Sequence, residues 1–148
     1  MSTHTLQLNI ITPEKVLFQG RVKQVTLPTE HGVITVLPKH VPIIAKLRSG
    51  DIVGEVDSEF MPFAVTGGFV EVKRRDGDTE VNILADFAEH VADLTEDKIA
   101  EARDRAEKIK KDIQEKSDID YEYFATELER SVTQIKIADK WGARKYRR

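Results

Sequence analysis

Apolar and polar residues alternate over the first half of the chain. Every second residue is apolar from Leu6 to Ile10, and similar short runs recur as far as about Leu84. Between the runs lie short segments rich in Gly, Pro, Asp and Thr. A two-residue period is typical of strands with one buried face, and closely spaced turns favour an antiparallel sandwich or barrel over strand-helix-strand units. No helical period is sustained before residue 85.

The period changes after Asp86. Apolar residues then recur every three or four positions, which predicts an amphipathic helix behind a Thr95 cap: Ile99, Ala102, Ala106, Ile109 and Ile113. Residues 116–120 break this pattern, and Ser117 and Asp118 are candidate caps for a second helix. Its predicted apolar stripe consists of Phe124, Leu128, Val132, Ile135 and Ala138.

The two periods predict two parts. The first is an N-terminal antiparallel β-sandwich, residues 1–88, and the second is a C-terminal antiparallel two-helix hairpin with a basic tail, residues 89–148. Each helix has a narrow apolar stripe, so we expect the hairpin to be marginal alone and to need the sandwich or a partner.

Composition narrows the possible functions. The 148 residues include no cysteine, which excludes thiolate metal sites, disulfides and cysteine nucleophiles. We expect no signal peptide, because the first thirty residues mix polar and apolar positions and no positively charged segment leads into an unbroken apolar run. We expect no membrane-spanning helix, because no apolar stretch approaches the roughly 20 residues that a span needs. Any membrane association would then go through a partner protein.

Charge is unevenly distributed along the chain. The net charge is −3, yet residues 136–148 hold six basic residues and one acidic residue, a local charge of +5. Such a tail is either a solvated helix end or a surface for an acidic partner or nucleic acid.

Candidate catalytic residues are not found. The four histidines lie far apart and lack metal-motif spacing, no serine lies in a nucleophile elbow, and Gly67-Gly68 lacks the Lys-Ser/Thr of a phosphate loop. We interpret those glycines as a turn or bulge and expect no enzyme activity, metal or cofactor. His40, between Pro38 and Pro42, is interpreted as a residue that fixes its loop by bonding the backbone, with a partner contact as the alternative.

Three segments together resemble the epsilon subunits of F-type ATP synthases, and the likeness spans nearly the whole chain. In order they are EHGVITVLPKHVPII, VTGGFVEVKRRDGDTEVNILADFAEH and DIDYEYFATELERSVTQIKI. The resemblance implies a non-catalytic rotor subunit of a proton or sodium translocating synthase, whose sandwich binds the gamma subunit and the polar loops of the c-ring. It also implies a peripheral position at the cytoplasmic face of the bacterial inner membrane. The hairpin is expected to contact the catalytic beta and alpha subunits transiently and to inhibit ATP hydrolysis.

The resemblance also assigns residues. It implies that the c-ring faces a turn formed by Glu30, His31, Gly32 and Val33, and that His40 lies near the rotor contact. The basic residues expected to face an acidic loop of the catalytic subunit are Arg130, Lys136, Lys140 and Arg144.

Some members of this family bind ATP in the hairpin. Their motif falls here on Leu94, Thr95, Lys98 and Ile99, with Arg105 and Arg130 at later arginine positions. Thr95, Lys98 and Ile99 replace the acid, the arginine and the alanine of that motif. A lysine cannot reproduce the forked contact of an arginine, so we do not expect ATP to bind.

Two rival interpretations remain open at this point. The first is a β-sandwich binding module whose basic helical tail contacts nucleic acid or another acidic partner, although the strands lack interleaved aromatic and basic residues. The second is an enzyme with a pocket in the sandwich, which would need convergent polar side chains.

Overall fold

The computed structural model describes residues 4–115 and 120–142. The chain divides into two compact units, residues 1–90 and residues 91–148, so the division lies two residues after the predicted boundary. The first unit is built from strands and the second from helices.

Within residues 4–90, which the structure describes, eight strands form the first unit: β1 Leu6–Ile11, β2 Val16–Val22, β3 Gln24–Thr29, β4 Gly32–Val36, β5 Ile43–Lys46, β6 Gly50–Val56, β7 Glu59–Arg75 and β8 Asp78–His90. Their hydrogen-bonded order is β2-β1-β8-β7-β6-β3-β4, and β5 pairs with β7. The sheet closes on itself, because Gly54 of β6 faces side chains of β1 and β2 and the Lys23 N–H donates to the Glu55 carbonyl at 2.8 Å. The predicted β-sandwich is confirmed.

The core is enclosed by the closed sheet, and the buried residues of β1 and β8 follow the predicted two-residue alternation. Leu6, Leu8 and Ile10 of β1 are fully buried, and so are Val81 and Ile83 of β8. Within the described residues, β1 and β8 form the only parallel pair, with Asn9 beside Asn82. The sequence had predicted an antiparallel arrangement throughout. A parallel pair needs a crossover connection, and here nearly the whole sandwich lies between the two strands.

Gly67 and Gly68 lie at a kink in the middle of β7. The pairing of β7 with β8 keeps one register on both sides, with Thr66 beside Phe87 and Gly68 beside Ala85. The interpretation of these glycines as a β-turn or bulge is corrected to a kink within one strand, at which the ladder keeps its register and has no Gly67–Asp86 pair. Both glycines have positive φ, 60° and 109°, and the residues that β7 contributes to the core cluster change from Phe63 and Val65 before the kink to Val70 and Val72 after it. The kink lets one long strand contribute to the core on both sides of the bend.

The second unit contains a short 3₁₀ helix, Val91–Asp93, followed by α1 Glu96–Glu115 and α2 Tyr121–Gly142. Thr95 is the cap of α1 as predicted, since its Oγ1 accepts the Lys98 N–H at 3.2 Å. Asp120 caps α2 by accepting the Tyr123 N–H at 3.1 Å, whereas the predicted caps Ser117 and Asp118 lie outside the described residues. The predicted hairpin of two helices is confirmed.

The buried faces of the helices match the prediction in α1 and differ from it in α2. Ile99, Ala102, Ala106 and Ile109 of α1 are buried, while Ile113 is half-buried. Of the stripe predicted for α2, Ala138 is buried and the other four residues are half-buried. The buried residues of α2 are instead Ser131, Thr133, Gln134, Ile137 and Ala138.

Candidate interaction surfaces

The turn between β3 and β4 presents four of the predicted contact residues together. Thr29 closes it, because its hydroxyl donates to the Gly32 carbonyl at 2.7 Å and accepts the His31 N–H at 3.2 Å. The Glu30 carboxylate lies 3.8 Å from the Lys46 ammonium. His31 is exposed and Val33 is 72% exposed. The turn therefore exposes the side chains of His31 and Val33 to solvent, and the hydrogen bonds of Thr29 fix its backbone.

His40 lies elsewhere. It belongs to the loop that joins β4 to β5, so it is separated from the turn by the length of β4, roughly 16 Å for five residues. Its Nδ1 donates to the Val41 carbonyl at 2.7 Å, and its N–H donates to the Leu37 carbonyl at 3.1 Å. The ring thus bonds the backbone of its own loop, as the loop-fixing interpretation predicts. The structure does not bring His40 together with His31.

The basic residues of α2 do not share one face. Lys136 and Lys140 are four residues apart and both exposed. Arg130 is half-buried and, at about 100° per residue, lies roughly a quarter to a third of a turn away from them around the helix. Arg144 lies outside the described residues. Among the described part of the predicted patch, Lys136 and Lys140 are the pair that a single partner surface can meet.

The positions of the nucleotide motif are occupied by packing and capping. Leu94 and Ile99 are buried, and Thr95 is the helix cap. Arg105 bonds across the hairpin, from Nε to the Ser131 hydroxyl at 3.0 Å and from Nη2 to Gln134 Oε1 at 3.2 Å. Lys98 is exposed in the first turn of α1.

A cleft of about 440 Å³ opens between the start of α1 and the end of α2. Its walls include the carboxylates of Glu96 and Asp139, and its arginine, Arg103, is paired with Asp139 at 3.5 Å. These charges oppose a polyphosphate, because two carboxylates repel it and the guanidinium already has a carboxylate partner. The absence of ATP binding stays a prediction.

A row of apolar side chains, not predicted from the sequence, crosses the outer face of the sandwich. Phe69 of β7 pairs with Leu84 of β8, Leu84 with Ile11 of β1, and Ile11 with Val16 of β2. Phe69, Leu84 and Val16 are 54%, 56% and 53% exposed, and Ile11 is half-buried. We call these four residues the apolar row. Strand alternation could have found two of them, since Phe69 and Leu84 occupy the same face as the polar Glu71 and Asn82.

Polar groups beside the apolar row are satisfied within the sheet. Asn9 Nδ2 donates to Asn82 Oδ1 at 2.7 Å, and Asn82 Nδ2 donates to Glu71 Oε1 at 3.4 Å. The outer face thus combines an exposed apolar row with a neighbouring polar row that bonds internally.

An ion pair closes the far end of this face. Arg21 of β2 donates two hydrogen bonds to the carboxylate of Asp78 of β8, from Nη1 at 2.6 Å and from Nη2 at 3.0 Å. Its Nε also donates to the Thr5 hydroxyl at 3.2 Å. The hydrogen bond from Arg21 lowers the pKa of Asp78, and the bond to Asp78 raises the pKa of Arg21. This pair joins the edge strand β2 to the start of β8, which is a structural role.

The described residues include neither a metal cluster nor a membrane-spanning helix. Within residues 4–115 and 120–142, no group of three or more His, Asp or Glu side chains could hold a metal ion. No helix in that part of the chain is both long and apolar enough to span a membrane.

Comparison with known proteins identifies the family. Residues 5–91 match the model of the ATP synthase delta/epsilon chain β-sandwich domain. An ATP synthase epsilon chain from Dichelobacter nodosus is 41% identical over 110 residues, which cover 74% of this chain and 73% of the relative. The chain belongs to the ATP synthase epsilon family. A second epsilon chain, from Halalkalibacterium halodurans, is 32% identical over 136 residues and covers 92% of this chain and 98% of the relative, so the likeness to the family includes the hairpin.

Solved structures agree in fold. A chain in the cryo-EM structure of the Euglena gracilis mitochondrial ATP synthase, OSCP/F1/c-ring, matches with a TM-score of 0.63 and 19% identity, covering 95% of this chain and 81% of that one. A chain in the central stalk/c-ring structure of the Tetrahymena thermophila mitochondrial ATP synthase matches with a TM-score of 0.53 and 17% identity, covering 91% and 94%. As an epsilon-family member, the protein is a non-catalytic accessory subunit of an ATP synthase.

Proposed function

We propose that this epsilon-family chain is a central-stalk rotor subunit that joins the gamma subunit to the c-ring and restrains ATP hydrolysis through its hairpin. The observation that carries the proposal is the apolar row on the outer face of the sandwich. Single exposed apolar residues are ordinary on protein surfaces, but neighbouring ones on adjacent strands form a patch that favours a partner.

The apolar row is assigned to the gamma subunit. Four adjacent strands contribute to it, so at about 4.8 Å per strand it is roughly 14 Å long, enough for a few turns of a partner helix or a facing strand. Its polar neighbours already bond one another, so a partner that covers the row need not desolvate unpaired groups at Asn9 and Asn82. Burial of the exposed half of Phe69 or Leu84 would stabilise the complex by about 1 kcal/mol each.

The experiment replaces Phe69 and Leu84 with glutamine and measures binding to a purified catalytic sector that contains gamma and lacks this subunit. Each replacement is expected to weaken binding about fivefold to tenfold, with an unchanged melting temperature because the side chains are outside the core. Phe60→Gln is the matched control, since Phe60 is on the same strand and 46% exposed but distant from the row. Equal binding by Phe69→Gln, Leu84→Gln and Phe60→Gln would remove the row from the gamma interface.

The β3–β4 turn is assigned to the polar loops of the c-ring. His31 and Val33 are exposed on it, as is Glu30, which lies 3.8 Å from Lys46, and Thr29 holds the backbone beneath them. His40 is assigned a scaffold role instead, because its ring and its N–H both bond its own loop. Membrane association is accordingly proposed to occur only through the complex, at the cytoplasmic face of the bacterial inner membrane.

The hairpin is assigned a regulatory contact with the catalytic subunits. On α2, Lys136 and Lys140 are exposed, and Leu128, Val132 and Ile135 are half-buried, so the helix retains both charge and apolar area for a partner. Contacts made by such exposed charges respond to ionic strength. The alternative, a module that binds nucleic acid through its basic tail, gains no support from the family assignment.

A further inference from the structure

The two helices of the hairpin meet through a buried polar cluster. Ser131 is fully buried and Gln134 is 7% exposed, and the two are three residues apart on one face of α2. The half-buried Arg105 of α1 reaches both, with bonds of 3.0 Å to the Ser131 hydroxyl and 3.2 Å to Gln134 Oε1. We propose that Arg105, Ser131 and Gln134 form a polar lock that holds the hairpin closed in one register and releases it at low cost.

The lock matters because the apolar side chains beside it are small. Next to Arg105 the buried side chains of α1 are Ala102 and Ala106, while the buried isoleucines of the hairpin are Ile99 and Ile109 of α1 and Ile137 of α2. Alanine buries little area, so the transfer free energy that favours closure is modest around Arg105. Specific hydrogen bonds then decide how the helices pair.

Hydrogen bonds to a charged group are directional, and they are strongest when water is excluded. In any slipped pairing of α1 with α2, Ser131 and Gln134 would be buried without their guanidinium partner, which costs more than the bonds contribute. The polar lock therefore selects one register.

The same chemistry makes release inexpensive. When the helices separate, the guanidinium, the hydroxyl and the amide all become hydrated. Hydrogen bonds to water then replace most of the free energy of the bonds within the lock. A purely apolar seam of the same size would instead expose hydrocarbon on opening. This inference concerns the hairpin itself and does not depend on the partner contacts proposed above.

Hydrogen exchange of the full chain tests the polar lock, with amides of α1 and α2 as the readout and amides of the sandwich as an internal reference. Arg105→Ala removes the guanidinium that bonds the Ser131 hydroxyl and Gln134 Oε1, and it is expected to lower protection in α2 about tenfold or more. Arg105→Lys keeps the charge without the fork and should be intermediate. Arg103→Ala is the matched control, because Arg103 pairs with Asp139 on the surface, and it should change protection less than about threefold.

A triple variant is expected to keep the hydrogen-exchange protection that Arg105→Ala loses. Arg105→Met, Ser131→Ala and Gln134→Leu together replace the lock by apolar groups, and this hairpin should be protected at least as well as the parent. Loss of helix in Arg105→Ala with recovery in the triple variant is the extreme form of the expected result. The proposal is overturned if Arg105→Ala behaves like Arg103→Ala, or if the triple variant is as poorly protected as Arg105→Ala.

Discussion

Replacing Gly68 by alanine tests whether the kink in β7 depends on glycine for steric reasons. Gly68 has a φ of 109°, and a Cβ built there would overlap the Leu84 carbonyl oxygen and lie 2.8 Å from the Ala85 Cα. Both obstacles are backbone of the neighbouring strand β8, so no side-chain rotation relieves them. Gly77 is the matched control, since its φ is 81° and a Cβ there would meet nothing within 4 Å.

The magnitude follows from comparing the two positions. Backbone strain at a positive φ costs a non-glycine residue about 1–3 kcal/mol, and both variants incur it. At Gly68 the strands must also move apart, which breaks two or three ladder hydrogen bonds at about 1 kcal/mol each. Gly68→Ala should therefore unfold at least about 2 kcal/mol more easily than Gly77→Ala, a difference of roughly 10 °C or more in Tm for a unit of this size.

Far-UV circular dichroism and calorimetry are the appropriate assays, because residues 1–90 contain no Trp or Tyr to report by fluorescence. Melting of the full chain should show a clearly lower transition for Gly68→Ala than for Gly77→Ala. If the two variants melt within about 3 °C of each other, the steric reasoning is wrong, and the positive φ alone accounts for the requirement for glycine at position 68.

Four further predictions follow from the surfaces. His31→Glu or Val33→Glu should reduce ATP-driven proton pumping in membrane vesicles while Tm stays constant, and normal pumping in both would separate the turn from coupling. Millimolar ATP should not raise the Tm of the isolated chain, whereas a rise with ATP and none with GTP would reinstate the nucleotide site. Asp78→Asn should lower the free energy of unfolding by about 0.5–1 kcal/mol at pH 7. Because the folded pKa of Asp78 is lowered, that difference should decline as pH falls below the ordinary carboxyl pKa and vanish below the folded pKa, and urea unfolding from about pH 7 down to about pH 2 measures this. Faster hydrolysis by the assembled complex, with unchanged binding to gamma, is expected when four residues are neutralised together: Arg130, Lys136, Lys140 and Arg144.

The periodicity of the sequence was sufficient to predict the two parts of the fold. Two-residue alternation identified the strands of the sandwich, and the three-to-four spacing behind Thr95 identified α1 together with its cap. These features depend on local sequence, where apolar period and capping chemistry act directly.

Features that depend on distant residues were predicted less well. The buried face of α2 was misplaced because Ser131 and Gln134 are polar, and they are buried through a bond to an arginine 26 and 29 residues earlier. The parallel pairing of β1 with β8 and the apolar row likewise arise from strand order, which alternation alone does not specify. The roles of His31 and Val33 stay predictions, since they concern a partner.

The parallel pairing of β1 with β8 also sets an order of events during synthesis. Asn9 and its neighbour Asn82 are 73 residues apart, so at about 5–20 residues per second the first strand leaves the ribosome several seconds before its partner. Only β2 can pair with β1 in that interval, and the other edge of β1 remains open with Leu6, Leu8 and Ile10 not yet enclosed. The nascent chain thus exposes three residues of its future core for longest, and chaperone binding should concentrate on residues 6–11 until β8 arrives.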